Sequence, residues 1–541
     1  MSEPENNDNR REMCPSVPWG RVDFLVVALL GMVCLVAYVY TLAPGLLRAD
    51  SGEFQTLSVM LGYAHPTGYP VYLHLARWAT LIPVGDVPYR VNLLSALAAS
   101  VSVMLTYGLC RVVVRRRWVS AVGAVALAVS PTFWSQAVIA EVYTCGLAIM
   151  LSVLLCLSLW QRSGRPAWLA VAGCLGGVAL GVHSTHALIA PAVLLFMLTM
   201  HRSRWRANWA AAAAGAVMGV AITLAAFWSV DRAESPCCYF RTVIEPSRSL
   251  WQLEAEQTDG FLDRVWLSMS PPQYKGLLLS QSAEATAAEA AWYSNNLRHE
   301  FPAAWLIAAG AGLVWLMRWN WSVASLLALA FLSHLVYDLS YDMGGIHVLY
   351  LATYVPLVVF GAAGLACFDD GSRALIRRFS NREPSATVAD VAIALVGLAV
   401  VIWPMLFADA WNVENRRRCQ VPPEEDPFRV DYSAEFHEEV RLLIDDLERD
   451  SVVLTGWCLL YPYCYVAYVE KDRDDLTFIQ DHPQIYEFEL ADSLIEHIEQ
   501  LAATRPVFLV HVERKDGKDI FQVEEVVRGS QTMYRVVPKA R

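Results

Sequence analysis

Residues 24–47 read FLVVALLGMVCLVAYVYTLAPGLL, and directly behind them stands Arg48-Ala49-Asp50-Ser51-Gly52-Glu53-Phe54. The apolar run is long enough for a helix to cross a hydrocarbon core, which takes about 20 residues. Two carboxylates three positions apart therefore emerge where that helix leaves the bilayer. The combination predicts a membrane protein with chemistry at the membrane face.

Similar runs recur down the chain, near 24–43, 92–113, 118–139, 143–160, 167–182, 184–200, 208–229, 302–317, 322–337, 347–367 and 388–408. Composition agrees with these eleven expected spans, at 55% hydrophobic and 18% charged residues, with a positive mean hydropathy. A soluble domain of this length is far more polar. The expected class is a polytopic α-helical membrane protein. Glu3, Glu5, Asp8 and Glu12 offset Arg10 and Arg11 before the first run. That run also exceeds a cleavable leader's apolar region, so the first span is expected to persist in the mature protein.

Arginine placement orients the spans, because cytoplasmic loops are enriched in Lys and Arg. Arg115-Arg116-Arg117, then Arg162 and Arg165, then Arg202, Arg204 and Arg206, then Arg318, then Arg373, Arg377, Arg378 and Arg382 fall in alternate loops. The N-terminal tail, residues 1–21, is therefore expected inside. The Asp50 loop, the segment from Asp231 to Arg298 and everything after Trp411 are expected on the outer face. In a bacterium this would be a cell (inner) membrane protein with its C-terminus outside; in a eukaryote the membrane would be that of the ER.

From Trp411 to Arg541 there are 27 acidic against 16 basic residues, a difference equal to the net charge of -11 of the whole chain. Residues 1–410, which contain the spanning part 22–410, are thus charge-balanced, and 411–541 forms an acidic soluble domain. Such acidity opposes nucleic-acid binding, which requires basic surface to displace counterions. A helical pattern at 434–448, strand-like 451–455, a helix over 463–470, a strand at 476–480, a helix at 491–502 and a strand at 507–512 predict a small α/β domain. It has no glycine-rich phosphate loop.

The twelve cysteines show no paired CxxC spacing, so no metal site is expected. Cys237, Cys238, Cys419, Cys458 and Cys464 fall in outer segments, where an oxidising compartment would permit disulfides of undetermined connectivity.

Polar residues cluster where lipid makes them costly. Asp50 and Glu53 open the first outer loop, Gln136 and Glu141 close the third span, His183 and His186 lie where the fifth and sixth meet, and Asp338, Asp342 and His347 bracket the ninth and tenth. Ionisable groups at membrane depth usually face a cavity or a partner, and their convergence on one face marks them as site candidates. Packing or helix capping would account for any one of them alone; Asp50 or Ser51 could cap a helix starting near Glu53. His65-Pro66-Thr67-Gly68-Tyr69-Pro70 reads as a stiff turn, and 71–82 as a helix lying in the interface.

Several of these motifs resemble one family. Asp50 to Phe54, the His65–Pro70 turn, Arg90-Val91-Asn92, Trp134-Ser135-Gln136, Ala140-Glu141-Val142-Tyr143, Gly181-Val182-His183-Ser184-Thr185-His186 and Tyr341-Asp342-Met343-Gly344-Gly345-Ile346-His347 look like the multi-pass transmembrane protein 260-like O-mannosyltransferases. The resemblance spans about residues 22–370, with Thr67 standing where the family would carry a second proline. It implies a GT-C type glycosyltransferase. There a sugar, mannose by resemblance, passes from a polyprenyl- or dolichyl-phosphate in the bilayer to an acceptor hydroxyl on a protein Ser/Thr or a glycan. The family's base lies in the first outer loop, which carries over to Asp50, with Glu53 as the alternative. No cofactor and no metal are implied.

The residues fit this role on physical grounds. A carboxylate can take the acceptor proton, and cationic groups can stabilise the released phosphate. His65, Tyr69, Arg90, Asn92, Glu141, Tyr143, His183, His186, Asp342 and His347 are the candidate donor or acceptor contacts. Arg90 suits phosphate because a guanidinium offers a paired donor fork. A transporter or flippase of lipid-linked sugars is the alternative, and a scaffold with a recruiting tail a third reading. No internal repeat of span pattern or matched pair of broken helices speaks for transport.

Overall fold

The apolar runs fold as helices, because in lipid a backbone must satisfy its own hydrogen bonds. In this computed structural model, residues 19–200, 204–274, 276–341, 346–379, 386–407, 434–483, 490–510 and 520–537 are described. The helices are α1 (Arg21–Tyr40), α2 (Ala49–Met60), α3 (Pro70–Ala79), α4 (Val87–Val114), α5 (Arg117–Ala128), α6 (Pro131–Ala137), α7 (Tyr143–Ser163), α8 (Ala167–Ala179) and α9 (Ala190–Thr199). They continue with α10 (Trp205–Asp231), α11 (Phe261–Met269), α12 (Ala283–Glu300), α13 (Ala303–Trp319), α14 (Trp321–Ser340), α15 (Leu351–Phe379) and α16 (Ala386–Phe407).

Each expected span is helical through most of its length, but the spans are not eleven uniform rods. Among the described residues six helical segments are long and apolar enough to cross a membrane: Arg21–Tyr40, Val87–Val114, Tyr143–Ser163, Trp205–Asp231, Trp321–Ser340 and His347–Ala374. Two more are bent pairs, α5 with α6 at 68° and α12 with α13 at 106°. The remaining apolar helices, within 167–179, 184–199 and 391–402, are shorter. The run 118–139 breaks because Pro131 cannot continue the preceding helix and instead starts a new one. One buried carboxylate stitches the two breaks together: Glu300 Oε2 accepts from Ser130 Oγ at 2.7 Å and from Thr132 N at 3.1 Å.

Small residues set the closest helix contacts. A Cβ at Gly215 would run into the Ala170 carbonyl, and one at Gly312 into that of Phe360. The α8/α10 and α13/α15 pairs therefore approach backbone to backbone, as membrane helices do at small-residue interfaces. At one end of the bundle Asp23 is fully buried. It accepts from Tyr107 Oη at 2.7 Å, Arg111 Nε at 2.8 Å and Arg117 Nη2 at 3.0 Å. At this end Arg116 also pairs with Asp369 at 2.9 Å, so several loop arginines have carboxylate partners.

At the opposite end α2 and α3 lie beside the mouth of the bundle. The turn before α2 is held by Gln55, which accepts from Leu47 N at 2.9 Å and donates to Asn92 Oδ1 at 2.9 Å. Asn92 Nδ2 donates in turn to the Ala43 carbonyl at 2.9 Å. The helix starts at Ala49 with no side-chain cap, so the capping role weighed for Asp50 and Ser51 does not occur.

The C-terminal part contains α17 (Ala434–Asp446), α18 (Trp457–Cys464) and α19 (Asp492–Ala502) with β1 (Val452–Thr455), β2 (Thr477–Gln480), β3 (Val507–Leu509), β4 (Gln522–Arg528) and β5 (Gln531–Val537). The strand order is β2-β1-β3-β5-β4, parallel across the first three and antiparallel thereafter. The expected helix at 463–470 begins earlier, at Trp457, and runs through Pro462 before widening into a π-turn over Tyr465–Glu470. The β4/β5 hairpin was not anticipated. Its readable signal is Gly529-Ser530 between two strand-like runs, with Gly529 at φ 56° in the turn.

Helix α18 docks on α2. Thr56 Oγ1 donates to the Tyr461 carbonyl at 2.9 Å, and a Cβ on Gly52 would lie 3.0 Å from Pro462 Cδ. The segment after α10 closes the same surface: Tyr239 N donates to the Tyr63 carbonyl at 2.8 Å, and Ser493 Oγ to that of Pro246 at 2.8 Å. One apolar cluster, including Phe54, Tyr72, Phe240, Leu443 and Phe508, is continuous through all three segments. The first loop, the segment after Asp231 and the C-terminal part thus lie on one face.

Candidate functional site

The site is built on the first turns of α2 and the stiff turn that follows it. Ala49 and Tyr69, on either side, both have positive φ, at 53° and 45°. Non-glycine residues adopt that conformation rarely, and it clusters at sites where packing enforces it. Asp50 and Glu53 lie three positions apart on α2, so both reach the side on which His65 is held.

Their environments differ sharply. The Glu53 side chain has no exposure, whereas that of Asp50 keeps 36%. Glu53 is gripped twice by one residue: His65 N donates to Oε1 at 2.7 Å, and His65 Nδ1 donates to Oε2 at 2.5 Å. On the other ring edge, Tyr69 Oη lies 3.0 Å from His65 Nε2 and donates to the Pro66 carbonyl at 3.0 Å. Asp50 Oδ2 is 3.7 Å from the same Nε2. Burial alone would lower the His65 pKa, but the charges of Glu53 and then Asp50 outweigh it and hold the imidazole up at about 9. A cationic His65 therefore sits between two carboxylates of which one is sealed and one is accessible.

Glu141 and His183 flank this core. Glu141 accepts from Ser51 Oγ at 3.4 Å. Burial, reinforced by Asp50, pushes its carboxyl well above the usual range, which favours the neutral acid. The His183 ring centre is 5.7 Å from that of Tyr69, 5.8 Å from Tyr143 and 6.3 Å from His186. Burial and the neighbouring His65 charge drive His183 down to about 4, so it is neutral at physiological pH. Its Nδ1 accepts from Thr185 Oγ1 at 2.8 Å, which leaves Nε2 as the donor. Among the described residues no group of three or more His, Cys, Asp or Glu is arranged to hold a metal ion.

Eight of the residues singled out from sequence therefore converge: Asp50, Glu53, His65, Tyr69, Glu141, Tyr143, His183 and His186. Others are placed elsewhere. The Arg90 guanidinium donates to the carbonyls of Val84 at 2.8 Å, Thr80 at 2.9 Å and Gly85 at 2.8 Å. The fork that suited a phosphate is thus used to brace the turn before α4. Asn92 supports the loop beneath α2 and is fully buried. His347 packs beside Trp292, ring centres 6.4 Å apart. Asp342 lies outside the described residues.

Two aromatic residues at the site were not singled out from sequence. Trp457 Nε1 donates to Asp50 Oδ1 at 2.7 Å. Its ring stands edge-on to His65 at 5.5 Å and to Tyr239 at 6.0 Å. The signal for Trp457 lies in its position directly after the parallel strand β1, since α/β sheets present ligand-facing groups at the carboxyl ends of their strands.

Residues 50–206 match the family model described as the Protein O-mannosyl-transferase TMEM260 N-terminal domain. This region carries most of the converging side chains, and the family resemblance seen in the motifs stands on it. The Protein O-mannosyl-transferase TMEM260 of Mus musculus is 44% identical over 82 residues, 15% of this chain and 12% of that protein. Its counterpart from Dictyostelium discoideum is 24% identical over 182 residues, 30% of this chain and 22% of that protein. The match thus spans under a quarter of either relative's length. Two solved structures share the fold. ArnT from Cupriavidus metallidurans bound to undecaprenyl phosphate superposes with a TM-score of 0.58 at 13% identity, covering 96% of this chain and all 100% of that one. The archaeal oligosaccharyltransferase AglB from Archaeoglobus fulgidus, in complex with an inhibitory peptide and a dolichol-phosphate, gives 0.55 at 14% identity, covering 90% of this chain and 69% of that one. The fold is therefore that of the GT-C glycosyltransferases, in a multi-pass membrane protein.

Proposed function

We propose that this protein is a membrane glycosyltransferase that moves a sugar from a polyprenyl-phosphate donor to an acceptor hydroxyl by an inverting displacement. Mannose and a protein Ser/Thr are the first candidates for sugar and acceptor. The observation that carries this reading is the asymmetry of the carboxylate pair: Asp50 is accessible and Glu53 is sealed against His65. Asp50 takes the proton of the acceptor hydroxyl. The acceptor oxygen bonds to the anomeric carbon as the bond from that carbon to the phosphate oxygen breaks, and polyprenyl phosphate leaves. To the cationic imidazole of His65, beside Asp50, we assign the role of offsetting charge that develops on the leaving phosphate.

Support for the substrate class comes from two fold relatives whose structures hold undecaprenyl phosphate and dolichol-phosphate. We assign residues 22–410 to the transferase domain and 411–541 to a soluble domain on the outer face, with residues 1–21 inside. The arginine distribution supports that orientation.

Incubation of membranes containing the protein with a panel of radiolabelled polyprenyl-phosphate sugars, followed by mass spectrometry of labelled products, tests the proposal. Transfer to protein or glycan with release of polyprenyl phosphate is expected. Movement of intact lipid-linked sugar across the membrane with no product would overturn it.

A further inference from the structure

We infer that Trp457 is a positioning residue for Asp50, so that the C-terminal α/β part completes the transfer site; this rests on Asp50 being the base. An indole N–H can only donate. Here it donates to Oδ1 of Asp50 at 2.7 Å, while Oδ2 is the oxygen that faces His65 Nε2 at 3.7 Å. The two carboxylate oxygens are thereby distinguished, one held and one left to receive a proton. Among the described residues this is the hydrogen bond that fixes the Asp50 side chain, since the approach to His65 exceeds hydrogen-bond distance.

The donor itself is well anchored. Trp457 opens α18 directly after β1, and its ring meets Tyr461 at 5.2 Å as well as His65 and Tyr239. These neighbours come from three separate stretches of the chain. Helix α18 in turn rests on the turn of α2 that carries both carboxylates, at Gly52 and Thr56. Displacing the C-terminal part would withdraw the donor and the surface that steadies α2 together. Rigid support from a neighbouring shell is what holds a reactive group in productive geometry.

The test uses the full-length protein in lipid nanodiscs with the donor panel described above and a Ser/Thr-rich peptide. Trp457→Phe keeps the ring and removes the donor. A hydrogen bond to a charged group is worth enough that kcat is expected to fall about tenfold or more, with donor KM unchanged. Trp457→His, which retains a ring N–H, is expected to recover part of that loss and serves if Trp457→Phe does not fold. In an Asp50→Asn background Trp457→Phe should cost nothing further, because residues acting through one another are not additive. A merely structural tryptophan would instead lower both backgrounds equally. Wild-type kcat in Trp457→Phe, equal losses in both backgrounds, or a loss confined to KM would overturn the inference while leaving Asp50 as base. Full activity in Asp50→Asn, or no transfer by the wild type with any donor, would overturn the underlying proposal and this inference with it.

Discussion

Glu53 is bound to His65 through both of its carboxylate oxygens, one to the backbone N–H at 2.7 Å and one to the imidazole at 2.5 Å. That double grip divides the labour of two carboxylates that look alike in the sequence. A buried carboxylate with both oxygens engaged organises the turn, and the accessible one is the group to which we assign proton transfer.

Asp50→Asn preserves size and can still accept from Trp457, but it cannot take up a proton. Transfer is expected to fall by about 10² to 10⁴, the usual cost of losing a general base, with normal protein level and melting temperature. Glu53→Gln is expected to act differently, because it leaves a buried imidazolium without its partner. Breaking a buried ion pair costs about 3–5 kcal/mol, so the loss should show in thermal stability first. An Asp50→Asn protein with normal turnover beside a stable but inactive Glu53→Gln protein would reverse the two roles.

Stability should depend on alkaline pH through His65. Its folded-state pKa is raised from 6.5 to about 9, so the stabilisation is fully present below about 6.5 and is lost as pH rises through about 9. Melting temperature of the nanodisc-embedded protein should decline across that window, and the decline should be smaller in His65→Gln. An identical slope in that variant would remove His65 as its cause.

Arg90→Ala deletes three hydrogen bonds to the carbonyls of residues 80, 84 and 85. The expected effect is faster limited proteolysis in the turn between α3 and α4, with donor KM within about twofold of wild type, since each such bond contributes about 1 kcal/mol. A large rise in donor KM with the turn intact would return Arg90 to the phosphate.

Cys237 and Cys464 share a hydrogen bond between the segment after α10 and the end of α18, and Ser235 Oγ lies 3.2 Å from Cys237 Sγ. Copper-phenanthroline should therefore join the two thiols. After proteolysis between them the fragments should migrate together until reduced, and Cys237→Ser should abolish the link. Separate fragments from the oxidised wild type would show that α18 does not rest there.

Orientation is testable at two exposed positions on opposite ends of the molecule, Gly371 and Glu525. A membrane-impermeant maleimide applied to intact cells should label Glu525→Cys above the parent protein and should leave Gly371→Cys at the parent level. The opposite pattern would invert the map.

Much of the transmembrane architecture was legible because helix formation in lipid is a local matter. Phe24 to Tyr40 must be helical whatever surrounds it, since an unpaired peptide group in hydrocarbon is too costly. The position of the candidate site was legible for a related reason. Asp50, Glu53, Glu141, His183 and His186 are polar residues in or beside apolar runs, and that contrast is visible in one dimension. Arg90 shows the limit of such inference. Its residue type suits a phosphate, but the turn from Thr80 to Gly85 presents three carbonyls within its reach, which no spacing rule reveals.

By itself the chain determined a polytopic helical protein, the segment that carries its carboxylates and an acidic α/β tail, because apolar length, charge and periodicity act over a few turns. Tertiary structure alone decided which carboxylate is sealed and which is accessible. It also decided that Trp457, 407 positions after Asp50, supplies its hydrogen bond. Burial and hydrogen bonding depend on which surfaces meet, and the meeting of α18 with α2 arises from packing across the whole fold.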